Sequence, residues 1–245
     1  IIVGYVWLKK IKCQNPSCRS EISLSRNYYL SKNKDHTITL FPFVTKNKTN
    51  FKIIDTSKED IPKGFDPNKG SISKAIVTCP VCQSTIDGKT TRKLFNEGQS
   101  TEQLTAVISY NKQKVGKNYR VANQKDTEIF HKAEEYLKRK RKEILQEIGM
   151  DPIPDEDLPP TGTLGFRIQK YGFKKWGDIF NSRQKLTLLI FSEKIRKAHD
   201  IMIKEDYTQE YAKAIITFLA LGVDRLANYG SSLCYLNPTG GRGVA

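Results

Sequence analysis

The sequence predicts an α+β chain: a β-rich first hundred residues held at two points by cysteines, then a mainly helical remainder. Three observations carry this. Short runs rich in Val, Ile, Thr, Tyr and Phe recur through residues 1 to 110, broken by Asn, Lys, Asp, Pro and Gly. Four of the five cysteines fall in two close pairs, Cys13/Cys18 and Cys79/Cys82. Beyond residue 125, apolar residues recur at helical spacing in three long stretches.

Taken in order, residues 1–12 alternate and carry Val, Ile, Tyr and Trp, as a strand leading into the first cysteine pair would. The first pair then occupies a turn. Between the pairs, β-favouring runs at Thr37 to Val44, Phe51 to Ile54 and Ser71 to Val77 predict a β insertion. After Cys82, residues Ser84 to Lys89 read as a turn, and Leu104 to Tyr110 as a further strand. Asp126 and Thr127 supply an N-cap for a helix running to about Met150, with Ile129, Phe130, Ala133, Leu137, Ile144, Leu145 and Ile148 apolar and Gly149 near its end. Four prolines between Asp151 and Pro160 exclude helix or central strand and predict an acidic linker. A turn region from Gly162 to Gly177 follows, then helices from about Arg183 to Lys204 and Gln209 to Asn228, the latter ended by Gly230. The expected organisation is therefore a cysteine-clamped β module over 1–100, a strand and basic helix over 101–150, a linker over 151–161 and a helical region over 162–245. The last helix is apolar on most faces, so exposed apolar area is expected along Ile215 to Leu226.

Close cysteine pairs are how loops present thiolates to one tetrahedral zinc ion. A disulfide framework belongs instead to small, cysteine-dense secreted domains, and this chain has five cysteines in 245 residues. Four thiolates, Cys13, Cys18, Cys79 and Cys82, fill the zinc shell and leave no open position, so the expected site is a structural zinc ribbon. His36, beside Asp35 in a polar loop, is a weaker ligand candidate; His131 and His199 read as surface residues, and Cys234 as a small core residue.

The chain carries a net charge of +15, with 17 Lys and Arg against 8 Asp and Glu in residues 1–100 but 4 against 4 in residues 201–245. Positive charge concentrated around the cysteines points to a polyanionic partner. The run Lys138, Arg139, Lys140, Arg141 and Lys142 is a phosphate-contact candidate, its alternative being a solvated helix face. Tyr28, Tyr29, Tyr110, Tyr119 and Arg120 mix aromatics with cations, as nucleic-acid stacking or ordinary strands both would. No apolar run approaches the ~20 residues of a membrane helix, so a cytoplasmic location and no membrane partner are expected. The opening Ile1-Ile2-Val3 and the glycine-rich close suggest an excised segment. Thr161 to Phe166 lacks the preceding strand of a phosphate loop, and Asn237-Pro238-Thr239-Gly240 lacks the second proline and aromatic ring of an amino-methyltransferase signature. No nucleophile, base and orienter set is legible.

Several phrases in collinear order resemble the adenine-specific DNA methylases that contain a zinc ribbon. They are Gly4-Tyr5-Val6-Trp7 before the first pair, Gly70-Ser71-Ile72-Ser73 before Val77 to Cys82, and Gly116 to Arg120. Others are Tyr171-Gly172, Trp176 to Gln184, Leu219 to Leu221, Asp224 to Leu226 and Asn228 to Cys234. The resemblance implies a larger bacterial or archaeal enzyme that moves a methyl group from S-adenosylmethionine to the exocyclic amine of adenine. Its methyltransferase-type catalytic domain would supply the helical region, with the glycine-rich cofactor motif upstream and the Asp-Pro-Pro-Tyr motif downstream. This segment therefore carries no catalytic or cofactor-binding residue of its own. The resemblance gives the four cysteines a structural role. Lys138 to Lys142, Arg183 and Gln184 are DNA-contact candidates, though Arg183 and Gln184 suit helix capping equally. A freestanding zinc-ribbon nucleic-acid-binding module is the non-enzymatic alternative, and an interaction module docking through its last helix is a third.

Overall fold

A computed structural model of the chain describes residues 1–33, 36–113 and 116–239. It is α+β, and its described residues form two compact units. The first contains Ile1–Gln124, Pro159–Phe173 and the described residues from Leu236; the second contains Lys125–Leu158 and Lys174–Tyr235.

The first unit is built on three small antiparallel sheets. Strands β1 (Ile2–Lys12), β2 (Glu21–Leu24), β9 (Thr101–Tyr110) and β10 (Lys117–Val121) form a sheet in the order β10-β9-β1-β2. Strands β3 (Tyr29–Lys32), β4 (Thr37–Thr45) and β5 (Lys48–Asp55) make the second, and β6 (Ile72–Ser73), β7 (Ile76–Thr78) and β8 (Thr85–Ile86) the third. Strand β1 serves two cores because successive side chains of a strand point to opposite faces. Its Val6 and Leu8 join Tyr28, Leu30, Ile38, Leu40, Phe51 and Ala106. Ile11, of opposite parity, joins Cys13, Ile22, Leu24, Val77, Cys79, Ile86 and Leu94 in the second core.

Ser84 to Lys89, expected as a turn, instead forms β8 and the start of helix α1 (Gly88–Asn96). The Asp87 carboxylate caps that helix by accepting from the Lys89 and Thr90 amides, and a helix of only nine residues carries too little periodicity to be legible in the sequence. Leu94 and Phe95 of α1 pack on the cysteine core. Phe95 also meets Tyr171 edge to face at 5.6 Å between ring centroids.

In the second unit, α2 (Gln124–Ile148) begins two residues before the expected cap, which leaves the buried Asp126 in its first turn, where a carboxylate suits the positive end of the helix dipole. Gly149 ends the helix with φ 71°. Residues 151–158 of the expected linker are hydrogen-bonded: the Leu158 amide donates to Lys174 O, and the Trp176 and Gly177 amides to Glu156 O and Pro154 O. Prolines there prevent helix but leave these carbonyls free to accept. Helices α3 (Ser182–Lys204) and α4 (Gln209–Tyr229) follow the sequence reading closely and pack on each other across the turn at 205–208. As expected from its apolar composition, α4 leaves Phe218, Leu219, Leu221 and Leu226 exposed. No helix of the described residues is long and apolar enough to cross a membrane.

Candidate metal centre

The two cysteine pairs, 61 positions apart between Cys18 and Cys79, converge on one point. All four Sγ atoms lie within 4.8 Å of one another. Cys13 Sγ is 3.6 Å from Cys82 Sγ, and Cys18 Sγ is 3.8 Å from Cys79 Sγ. A tetrahedral ion with bonds of ~2.3 Å sets its ligand sulfurs ~3.8 Å apart, whereas a disulfide would bring them to ~2.05 Å. The separations suit a tetrahedral metal and no disulfide, and every cysteine is free.

The two arms are built to one plan. In each, an apolar strand residue two places before the first cysteine is buried: Ile11 before Cys13 and Val77 before Cys79. Strand alternation then turns Cys13 and Cys79 to that same buried face, where both are fully enclosed. The first cysteine's amide donates to the carbonyl of a serine two residues past the second: Cys13 N–H to Ser20 O at 2.8 Å, and Cys79 N–H to Ser84 O at 2.9 Å. Two residues further on, Ile22 pairs with Ile11 across the strands, and Ile86 with Val77. The arms thus share the pattern Ile/Val-x-Cys, then Cys-x-Ser-x-Ile. That repeat was present in the sequence, and it identifies two residues that cysteine spacing alone misses, Ser20 and Ser84.

Those serines act on the sulfurs directly. Ser20 Oγ lies 3.0 Å from Cys18 Sγ, and Ser84 Oγ 3.3 Å from Cys82 Sγ. The Ser84 hydroxyl and amide hold the Cys82 thiol down at about 6, and Ser20 lowers Cys18 in the same way. Burial does the opposite to their partners, raising Cys13 to about 12 and pushing Cys79 up. The enclosed pair thus resists ionisation unless a cation compensates its charge, which a thiophilic metal would supply. Asn15 Nδ2 donates to Ser84 Oγ at 3.4 Å and ties the two arms together. Among the described residues, the four sulfurs are the metal-ligating cluster, so a bound ion would have a full thiolate shell and no site for substrate.

Gly70, in the phrase before the second pair, is required by close packing. A Cβ there would sit 1.9 Å from Ser25 O, while the Gly70 amide donates to Arg26 O. Beside it, the Ser71 hydroxyl donates to Ser23 O at 2.6 Å and accepts from the Ser25 amide at 3.0 Å, joining β2 to the approach of the second arm.

The remaining candidates lie elsewhere. His36 Nε2 is 2.6 Å from Asp55 Oδ1 and takes no part in the cysteine cluster. His131 pairs with Glu134, and His199 lies 3.7 Å from Asp200. Cys234 is half-buried rather than in a core, its thiol donating to Asn228 O at 3.0 Å. In the basic run, Lys140 pairs with Glu193 at 2.8 Å, Arg141 with Asp151, and Arg139 lies 3.9 Å from Glu143. Lys138 and Lys142 are exposed. Gln184 completes a capping box for α3, accepting from the Asn181 amide while its own amide donates to Asn181 Oδ1. Its neighbour Arg183 is half-buried. The Pro238 carbonyl accepts from the Lys32 amide at 2.8 Å, and Gly240 lies outside the described residues.

Compared with known proteins, the chain matches no family model, no curated protein and no solved structure.

Proposed function

We propose that this chain is the central segment of an adenine-specific DNA methyltransferase and that its cysteines hold a structural zinc ion within a DNA-contacting module. The observation that carries the reading is a closed four-sulfur cluster inside the strongly cationic part of the chain. Such a cluster offers a polyanion a rigid scaffold while leaving no coordination position for bond-making chemistry. The methylase assignment rests on the collinear phrases; two of them, at Gly70 and at the second cysteine pair, fall where packing or metal ligation demands those residue types. Zinc fits better than a redox metal because a scaffold needs neither electron transfer nor an open site. S-adenosylmethionine binding and methyl transfer would lie outside these 245 residues.

The test has two parts. Metal analysis of the purified chain should give about one zinc per chain, falling sharply in Cys79→Ser; iron in its place would overturn the zinc assignment. The parent protein should transfer labelled methyl groups from S-adenosylmethionine to adenine-containing duplex but not to a duplex without adenine. A freestanding nucleic-acid-binding module is the second reading. One observation favours it: the cysteine centre and both β cores fall within one compact unit. Duplex binding by a parent protein without methyl transfer would select it.

A further inference from the structure

Strands β4 and β5 are joined by the two-residue turn Lys46-Asn47, with Thr45 opposite Lys48. Both turn residues are left-handed, with φ 50° and 59°, the geometry of a type I′ hairpin that asparagine and glycine favour. Lysine at its first position is a poor conformational choice, since an L-residue with a Cβ is strained there. What lysine adds is a cation at the hairpin tip.

The tip is fastened to the first cysteine arm. The Glu21 amide donates to Asn47 O at 2.9 Å, and Thr49 Oγ1 donates to Glu21 O at 3.0 Å. Glu21 follows Ser20 and faces Lys12 across β1 and β2, and its carboxylate accepts from Lys10 at 2.9 Å. One acid therefore stands among five cations: Lys10, Lys12, Arg19, Lys46 and Lys48. Except for Lys10, these cations are exposed and have no ion-pair partner among the described residues. In the basic run of α2, by contrast, three of five cations have an acidic neighbour.

We propose that the β4–β5 tip and the first cysteine arm, through Lys12, Arg19, Lys46 and Lys48, form the surface that grips the phosphate backbone of duplex DNA. This rests on the DNA-binding reading above and moves the principal contact from α2 to the metal-braced hairpin. Solvated, unpaired cations on a fixed scaffold release counterions on binding, whereas cations already paired with Glu193 and Asp151 have less to gain. Because residues 18–21 link the sulfur cluster to the tip, loss of the metal loosens this surface.

The experiment is duplex binding by the zinc-loaded chain, measured by anisotropy across a salt series. Each phosphate contact contributes about 0.9 to the logarithmic salt slope. Lys46→Gln/Lys48→Gln should lower that slope by roughly 2, with metal content unchanged, and Lys140→Gln/Arg141→Gln, whose cations are already paired, by less. Lys46→Asn adds an independent arm: relieving the turn should raise the melting temperature while the slope falls by about 1, an outcome that misfolding cannot mimic. An unchanged slope in the hairpin variants, with wild-type binding intact, overturns the proposal alone. Failure of the wild-type chain to bind duplex defeats the DNA reading itself. Equal binding to polyglutamate would overturn the assignment of the surface to nucleic acid.

Discussion

Arg19 and Gln83 hold equivalent backbone positions, each one residue beyond the second cysteine of its arm and each left-handed, with φ of 52° and 60°. The left-handed step turns the chain so that Ser20 and Ser84 can return their carbonyls to the amides of Cys13 and Cys79. Neither residue has glycine's freedom there, so both arms carry local strain.

Relieving that strain should stabilise the protein. Gln83→Gly is expected to gain about 0.5–1 kcal/mol, the relief of the left-handed residue less the extra freedom glycine gives the unfolded chain. Thermal melts of the metal-loaded protein should show a rise of roughly 1–4 °C for a chain of this size.

The serine hydroxyls should govern metal affinity rather than metal geometry. Ser20→Ala and Ser84→Ala each remove a hydroxyl hydrogen-bonded to one sulfur, and outer-shell losses of this kind weaken binding about 10–100-fold. Competition against a chromophoric chelator measures this; an unchanged affinity in both variants would show that the hydroxyls are incidental.

The sequence showed the cysteine centre because spacing alone announces a metal site, and showed α3 and α4 because helical periodicity over twenty residues is hard to mistake. Strands β2, β3 and β10 escaped because they are only four or five residues long, too short for an alternating pattern to stand out from the polar residues around them. The dual capacity of Gln184 was legible, yet only its seat in the capping box shows what its amide carbonyl does. Likewise, nothing local to the five consecutive cations marks which of them are paired: Glu193 and Asp151 stand 53 and 10 positions from Lys140 and Arg141. Side-chain pairing across such distances leaves no local signature.

Glu193 makes that pairing measurable. Lys140, and after it Lys197, hold its carboxyl down at about 2, below its ordinary 4.5. A carboxylate with a lowered folded value stabilises fully above its unfolded value and loses that contribution as pH falls through the folded one. The stability gap between wild type and Glu193→Gln should therefore be largest near neutral pH and close between about 4.5 and 2. Solvent around the three side chains keeps the gap at or below about 1 kcal/mol, readable by urea titrations at several pH values.

Gly70→Ala should be far more costly. Its Cβ would meet the Ser25 carbonyl, a backbone atom that β2 and Ser71 hold in place. A loss of roughly 2–4 kcal/mol is expected, with reduced metal retention because Gly70 leads into the second arm. Urea unfolding together with metal analysis checks both effects.

The 61 positions between Cys18 and Cys79 also set an order of events in the cell. A ribosome adding 5–20 residues per second delivers the second arm roughly 3–12 s after the first. Throughout that interval the nascent chain presents only the first pair of sulfurs, and the β4–β5 hairpin is completed before the second pair is made. The hairpin is therefore made before the four-sulfur cluster that its first-arm contacts lead to can close.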